Sequence, residues 1–258
     1  MLALLAAGAL ASCASIRNLD ETRGWPAPKL YAEARDEMND RNWQRAIKLY
    51  ETLEARFPFG RYSQQSMLEL AYSQWKDAET PAALATIDRF LKLYPTHPSA
   101  DYAWYLRGLI NFNDDLGIFG TLSRQDVSER DPRSARESFD AFRELVTRFP
   151  DSRYAPDAAA RMKFIVNMLA SSEIHVARFY LRKGAYVAAA NRAQTALTTY
   201  PQAPANEEGL LIMVKAYDAL GLNDLRNDAE RVMKSNFPKS KYLAGDVRTD
   251  GRRWWYFW

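Results

Sequence analysis

One cysteine and two histidines in 258 residues are a scarcity that removes several chemistries at once. Cys13 has no partner for an intrachain disulfide, and with only His97 and His175 beside it no Cys/His zinc site can be assembled. The patterns G-x-x-x-x-G-K, G-x-G-x-x-G and G-x-S-x-G are all missing, so there is no phosphate-cradling loop and no nucleophile elbow. Charge of either sign is not in excess: 35 Lys and Arg face 32 Asp and Glu. The segment Lys239 to Trp258, with five basic and two acidic side chains, holds that whole difference. A neutral body argues against a nucleic-acid partner, whose phosphates need a basic face. No apolar run reaches the roughly 20 residues that span a bilayer. These absences point away from an enzyme, and no catalytic residue or metal site is assigned.

What is present begins with an address. Met1 to Ser12 is apolar and uncharged, as in the core of a secretory signal, although no Lys or Arg precedes it. Leu10-Ala11-Ser12-Cys13 resembles the bacterial lipoprotein signal, which implies cleavage before Cys13 and acylation of that residue. Several acyl chains on one residue anchor stably where one is marginal, so a covalent lipid on Cys13 is the only prosthetic group expected. Ala14-Ser15 follows in place of the Asp of an inner-membrane retention mark, which by the same resemblance implies the outer membrane of a Gram-negative bacterium, periplasmic face. Residues 13–28, with Gly24, Pro26 and Pro28, read as the acylated N-terminus and a flexible tether.

The body is a repeat. Beyond the tether, an aromatic residue precedes proline five times, at Phe57-Pro58, Tyr94-Pro95, Phe149-Pro150, Tyr200-Pro201 and Phe237-Pro238. Upstream of the first lie Ala46, Tyr50, Leu53 and Phe57, a 4-3-4 spacing that draws one stripe along a helix before the proline ends it. Ala83, Ile87, Phe90 and Tyr94 repeat the frame, as do Ser138, Phe142, Leu145 and Phe149, then Ala189, Ala193, Ala196 and Tyr200. Small residues at Ala34, Ala71 and Gly108 let antiparallel helices approach closely. Helix, turn, helix and proline in this order resemble the tetratricopeptide repeat. The expected fold is all-α, a right-handed superhelical solenoid of about five such repeats.

Departures from the frame carry their own expectations. The third repeat has a long polar loop, 113–134, with five acidic residues, Asp114, Asp115, Asp126, Glu129 and Asp131. These lack the spacing of a calcium loop and read as solvated. No Gly or Pro interrupts Asp157 to Lys183, so one helix about 40 Å long is expected to rise above the solenoid. The fifth repeat places Arg226 and Glu230 on the stripe, which shifts the expected stripe to Leu225, Ala229 and Val232. His97 reads as solvated and His175 as structural. The tail 244–258 ends its basic pair Arg252-Arg253 in five consecutive aromatics, suited to packing, to a partner or to a membrane interface.

Four strings go beyond generic repeats: Leu122 to Pro132, Arg148-Phe-Pro-Asp-Ser-Arg-Tyr154, Val176-Ala-Arg-Phe-Tyr180 and Gly184 to Arg192. They resemble the BamD family, lipoproteins of the β-barrel assembly machinery of the outer membrane. The resemblance implies a non-catalytic adaptor with several partners. These are the barrel-forming subunit through its periplasmic domain, accessory lipoproteins, and unfolded barrel precursors through a C-terminal aromatic signal. It also assigns repeats 29–112 to substrate and repeats 135–243 to docking. A different periplasmic repeat adaptor, coordinating envelope growth, is the alternative.

In tetratricopeptide repeats the first helix of each pair lines the groove. Counting back from Pro58, Pro95 and Gly108 places Tyr31 and Arg35, then Tyr72, Trp75 and Lys76, then Tyr102, Tyr105 and Phe112 there. Aromatic rings beside cations suit a peptide ending in an aromatic residue and a carboxylate, although such rings also pack between helices. Asn191 and Arg192 lie off the apolar stripe of their helix and face solvent. By resemblance, this pair meets the barrel-forming subunit.

Overall fold

The computed structural model describes residues 21–112, 132–240 and Tyr242. Among them are ten helices: α1 (Ala27–Asn39), α2 (Trp43–Arg56), α3 (Arg61–Lys76), α4 (Thr80–Leu93) and α5 (Ala100–Asn111). The chain continues through α6 (Pro132–Arg148), α7 (Ala155–Arg182), α8 (Tyr186–Thr199), α9 (Asn206–Ala219) and α10 (Asn223–Asn236). Cys13, the preceding signal, the acidic loop residues and the aromatic tail lie outside the described residues.

Two kinds of turn, each used repeatedly, explain where the helices stop. A residue before proline is pushed out of the helical region, and Phe57, Tyr94, Tyr200 and Phe237 all cap their helices at φ between −129° and −131°. Within a helix pair the chain turns through a left-handed residue: Arg41 (φ 62°), Ala78 (64°), Gly184 (75°) and Gly221 (70°). Each turn is closed by an N–H reaching five residues back, Asn42 to Glu37, Glu79 to Gln74, Ala185 to Tyr180 and Leu222 to Tyr217, at 2.8–3.0 Å. That is the Schellman bond. Arg41 and Ala78 hold the conformation with a side chain where glycine would be unstrained.

The chain forms two compact units that divide between Ala103 and Trp104, inside α5. In the first, α1 packs on α2 and α3, α2 on α3, and α3 on α4. Its core gathers Leu30, Ala34, Ala46, Ile47, Leu49, Tyr50, Leu53 and Leu70, all buried. In the second, α7 packs on α6, α8 and α9, α8 on α9, and α9 on α10. Helices paired in sequence, with α1 also touching α3 and α7 also touching α9, are the tetratricopeptide arrangement within each unit. The small-residue rule holds sharply at Gly108, where a Cβ would sit 2.3 Å from the Phe142 ring.

Several expectations need correction. The long helix is present as α7, 28 residues and about 42 Å, but both halves are covered by different neighbours. Ile165 and Leu169 join Phe142 and Leu145 of α6, whereas Ile174 and Ala177 join Ala189, Ala193, Ile212 and Ala216 of α8 and α9. It serves two layers instead of standing clear of one. In α10 the buried pair is Ala229 and Met233, four apart, while Leu225 and Val232 are 47% and 38% exposed. The Met233 position keeps the frame of Leu53 and Phe90, while Arg226 and Glu230, at the two earlier stripe positions, are half-buried. Residues 132–134, read as loop, open α6. The end of the tether is also structured, because Arg45 pairs with Glu21 at 2.9 Å and Trp25 packs on the first core. His97 is half-buried, not solvated: its ring lies 5.3 Å from Phe90, and its Nδ1 accepts the Ser99 N–H at 3.0 Å.

Candidate functional site

Helix α3 organises the first unit. Tyr72 and Trp75 are three apart and therefore neighbours on one face, and their rings meet edge-on at 6.0 Å. Trp43, the first residue of α2, meets Tyr72 from the other side at 6.0 Å. The exposed Lys76 ammonium sits 3.9 Å over Trp75 and 5.5 Å from Tyr72, with no ion pair among the described residues. Stacking on aromatic faces holds this cation in place while leaving its charge available.

One turn earlier on α3, Glu69 collects hydroxyls. Tyr31 of α1 donates to Glu69 Oε1 at 2.8 Å and Tyr50 of α2 donates to Oε2 at 2.6 Å; Gln65 adds a third donor at 3.1 Å. Burial, with the Glu69 charge and hydrogen bond, pushes both tyrosine hydroxyls far above their ordinary pKa. Tyr62, at the start of α3, lies 5.4 Å from Tyr31. Arg35, exposed on α1 beside this cluster, makes no ion pair among the described residues; its charge acts weakly against the rise at both tyrosines. Tyr102, the last expected groove residue of this unit, is half-buried, and its N–H bonds the Asp101 carboxylate at 2.7 Å.

Tyr105 and Phe112 belong to the second unit, where they are built into packing. Tyr105 stacks on Tyr154 at 4.7 Å and 18°, and its hydroxyl donates to Asp157 at 2.7 Å. Burial pushes the Asp157 carboxyl up, but hydrogen bonds from Arg161 and Tyr105 outweigh this and hold it below the usual carboxylate range. Phe112 meets Phe142 at 6.3 Å and Phe164 at 5.8 Å, under the Arg161 guanidinium.

Asn191 and Arg192 project from α8, both exposed. Arg192 Nη1 donates to Glu173 Oε2 of α7 at 3.1 Å, with the two side chains 48% and 16% exposed. An ion pair this wet adds little stability. It does fix the guanidinium's direction with one of five N–H donors engaged. Beside it, Asn191, Tyr186, Val187, Ala188 and Leu220 line a shallow, largely apolar depression.

Residues 25–232 match the YfiO family, described as outer membrane lipoprotein. The chain is 49% identical over 254 residues to the outer membrane protein assembly factor BamD of Neisseria meningitidis serogroup B, covering 97% of this chain and 95% of that one. The chain belongs to the BamD family. The BamD of Vibrio cholerae is 38% identical over 233 residues, covering 90% of this chain and 96% of that one. Among solved structures, a Podosopora anserina putative kinesin light chain with TPR-like repeats is similar at 14% identity, a TM-score of 0.35 and 83% and 97% coverage. That likeness is too low to bear weight, and the repeat assignment rests on the helix pairing. The BamD family is non-catalytic, and no group of three or more metal-binding side chains occurs among the described residues.

Seen as a BamD-family adaptor, the chain brings together Tyr72, Trp75 and Lys76, and ties Tyr31 to the same helix. Sequence counting missed Trp43 because it lies on a second helix, outside the groove-lining positions. It also missed Glu69, although Glu69 stands three residues before Tyr72 and so shares its face.

Proposed function

We propose that this protein is a lipid-anchored adaptor in the assembly of β-barrel outer-membrane proteins, acylated at Cys13. Its first unit receives unfolded barrel precursors, and its second docks the barrel-forming subunit. The observation that carries the substrate reading is the platform of Trp43, Tyr72 and Trp75 with Lys76 held 3.9 Å over one ring. An aromatic terminal residue finds rings to pack on, and its carboxylate finds a cation without an acidic partner. Arg35 extends the positive edge of the same unit. The relatives' name, outer membrane protein assembly factor, supports this reading. Docking is assigned to Asn191 and Arg192. Glu173 orients the guanidinium while its remaining donors face outward, which suits a bidentate pair with a carboxylate of the barrel-forming subunit. Accessory lipoproteins of the same machinery are further partners.

The test is binding of a barrel C-terminal peptide to the full chain. Tyr72→Ala with Trp75→Ala should weaken affinity at least tenfold at unchanged helicity, because two stacking faces are lost. Unchanged affinity rejects the platform. For docking, Arg192→Glu should release the barrel-forming subunit in pull-down, and retained binding counts against the assignment.

A further inference from the structure

Phe59 is 87% exposed, the most exposed of the large apolar side chains of the described residues. It lies between Pro58 and Gly60, in a turn whose Gly60 has φ +97° and caps α3. The start of α1 and the end of α2 share that end of the first unit, since Tyr62 at the start of α3 lies 5.4 Å from Tyr31 in the first turns of α1. Thr22, near the start of the described chain, is tied to this end. Arg56 Nη1 donates to the Thr22 carbonyl at 2.7 Å, and Trp25 N–H donates to the same oxygen at 2.9 Å. The segments that meet at this end carry cations: Arg23 is exposed, Lys29 lies 4.1 Å over Trp25, and Arg61 lies 4.8 Å over Tyr62. Of the acids on these segments, Glu21 is paired with Arg45 and Glu54 with Arg89.

We infer that this end of the first unit is a membrane-contact face, with Phe59 entering the headgroup region of an anionic bilayer and Arg23, Lys29 and Arg61 meeting lipid phosphates. The inference rests on the acylation of Cys13 proposed above. Eight residue steps separate Cys13 from Glu21, so an acylated Cys13 keeps Glu21 within about 28 Å of the membrane. A single projecting ring with a basic rim matches how proteins rest on headgroups. A protein interface would centre on a cluster of buried anchors, which this turn lacks.

The test uses the full chain carrying Cys13→Ser, so that no acyl chain contributes. It should float with vesicles of phosphatidylethanolamine and phosphatidylglycerol but not with phosphatidylcholine alone. Phe59→Ser should weaken that binding about tenfold, and Lys29→Glu or Arg61→Glu at least fivefold each. Phe59→Cys in the same background is the only thiol, and a polarity-sensitive fluorophore on it should shift to the blue on adding these vesicles. Absence of flotation, or flotation indifferent to Phe59→Ser, overturns the inference. A blue shift with the purified barrel-forming subunit and none with vesicles also overturns it, in favour of a protein partner. Failure of the acylation reading shows separately, as an unmodified mass of Cys13 in the native protein.

Discussion

The two units use the same tyrosine pairing and reverse the charge beside it. Tyr31 and Tyr105 each stand three residues before the small residue of their helix, Ala34 and Gly108. Each packs on the tyrosine that closes an aromatic-Pro-x-(Gly/Ser)-Arg-Tyr turn, Tyr62 at 5.4 Å and Tyr154 at 4.7 Å. In both turns the arginine lies over its neighbouring tyrosine ring, at 4.8 Å and 4.7 Å. Seven residues beyond the turn tyrosine, the first unit has Glu69 and the second has Arg161. In the first, the acid is consumed by two tyrosine hydroxyls, so Arg35 and Lys76 keep their charges unpaired among the described residues. In the second, Arg161 neutralises Asp157 at 2.7 Å and lies over Phe112. One scaffold therefore yields an anion-receptive face in one unit and a closed, self-paired face in the other.

The comparison can be broken most severely at the small residue. Gly108→Ala drives a methyl into the Phe142 ring and should destabilise the second unit by about 2–3 kcal/mol, read in urea unfolding. A loss below about 0.5 kcal/mol would mean the close approach of α5 and α6 is not a constraint. A smaller break is Tyr50→Phe, which deprives Glu69 of a buried donor and should cost about 1–2 kcal/mol at neutral pH.

That variant also sharpens the account through pH. Tyr31 and Tyr50 hold their protons in the folded state beyond the unfolded value near ~10. Their stabilisation is therefore complete below that pH and is lost as pH rises above it. Tyr50→Phe should show a shallower loss of stability between pH ~9 and ~11 than the parent; an equal slope would deny that burial and Glu69 hold the Tyr50 proton. The smallest effect is expected for Tyr105→Phe, about 0.5 kcal/mol, because its partner Asp157 is exposed and retains Arg161.

Most of the helical frame was legible because aromatic-Pro and 4-3-4 spacing are local, and proline acts on its own neighbour. The fifth repeat was misread because Leu225 and Val232 look like core, whereas a terminal helix buries only its Ala229–Met233 edge. The long helix α7 was legible as a helix, but its environment was not, since coverage by α6, α8 and α9 is a tertiary property. Of the site, Tyr72, Trp75 and Lys76 followed from counting along one helix. Trp43 and Glu69 came from joining helices, which spacing along one helix does not reveal. His97 was misjudged because its ring packs on Phe90, seven residues back across the turn after α4.

The central claim is that the first unit recognises an aromatic-ended peptide through rings and unpaired cations together. Its most direct measurement compares a barrel C-terminal peptide with its C-terminally amidated form, by titration calorimetry on the full chain. The account predicts that amidation weakens binding at least fivefold, and that Arg35→Ala with Lys76→Ala abolishes the difference. Equal affinity for the two peptides in the unaltered protein would contradict it.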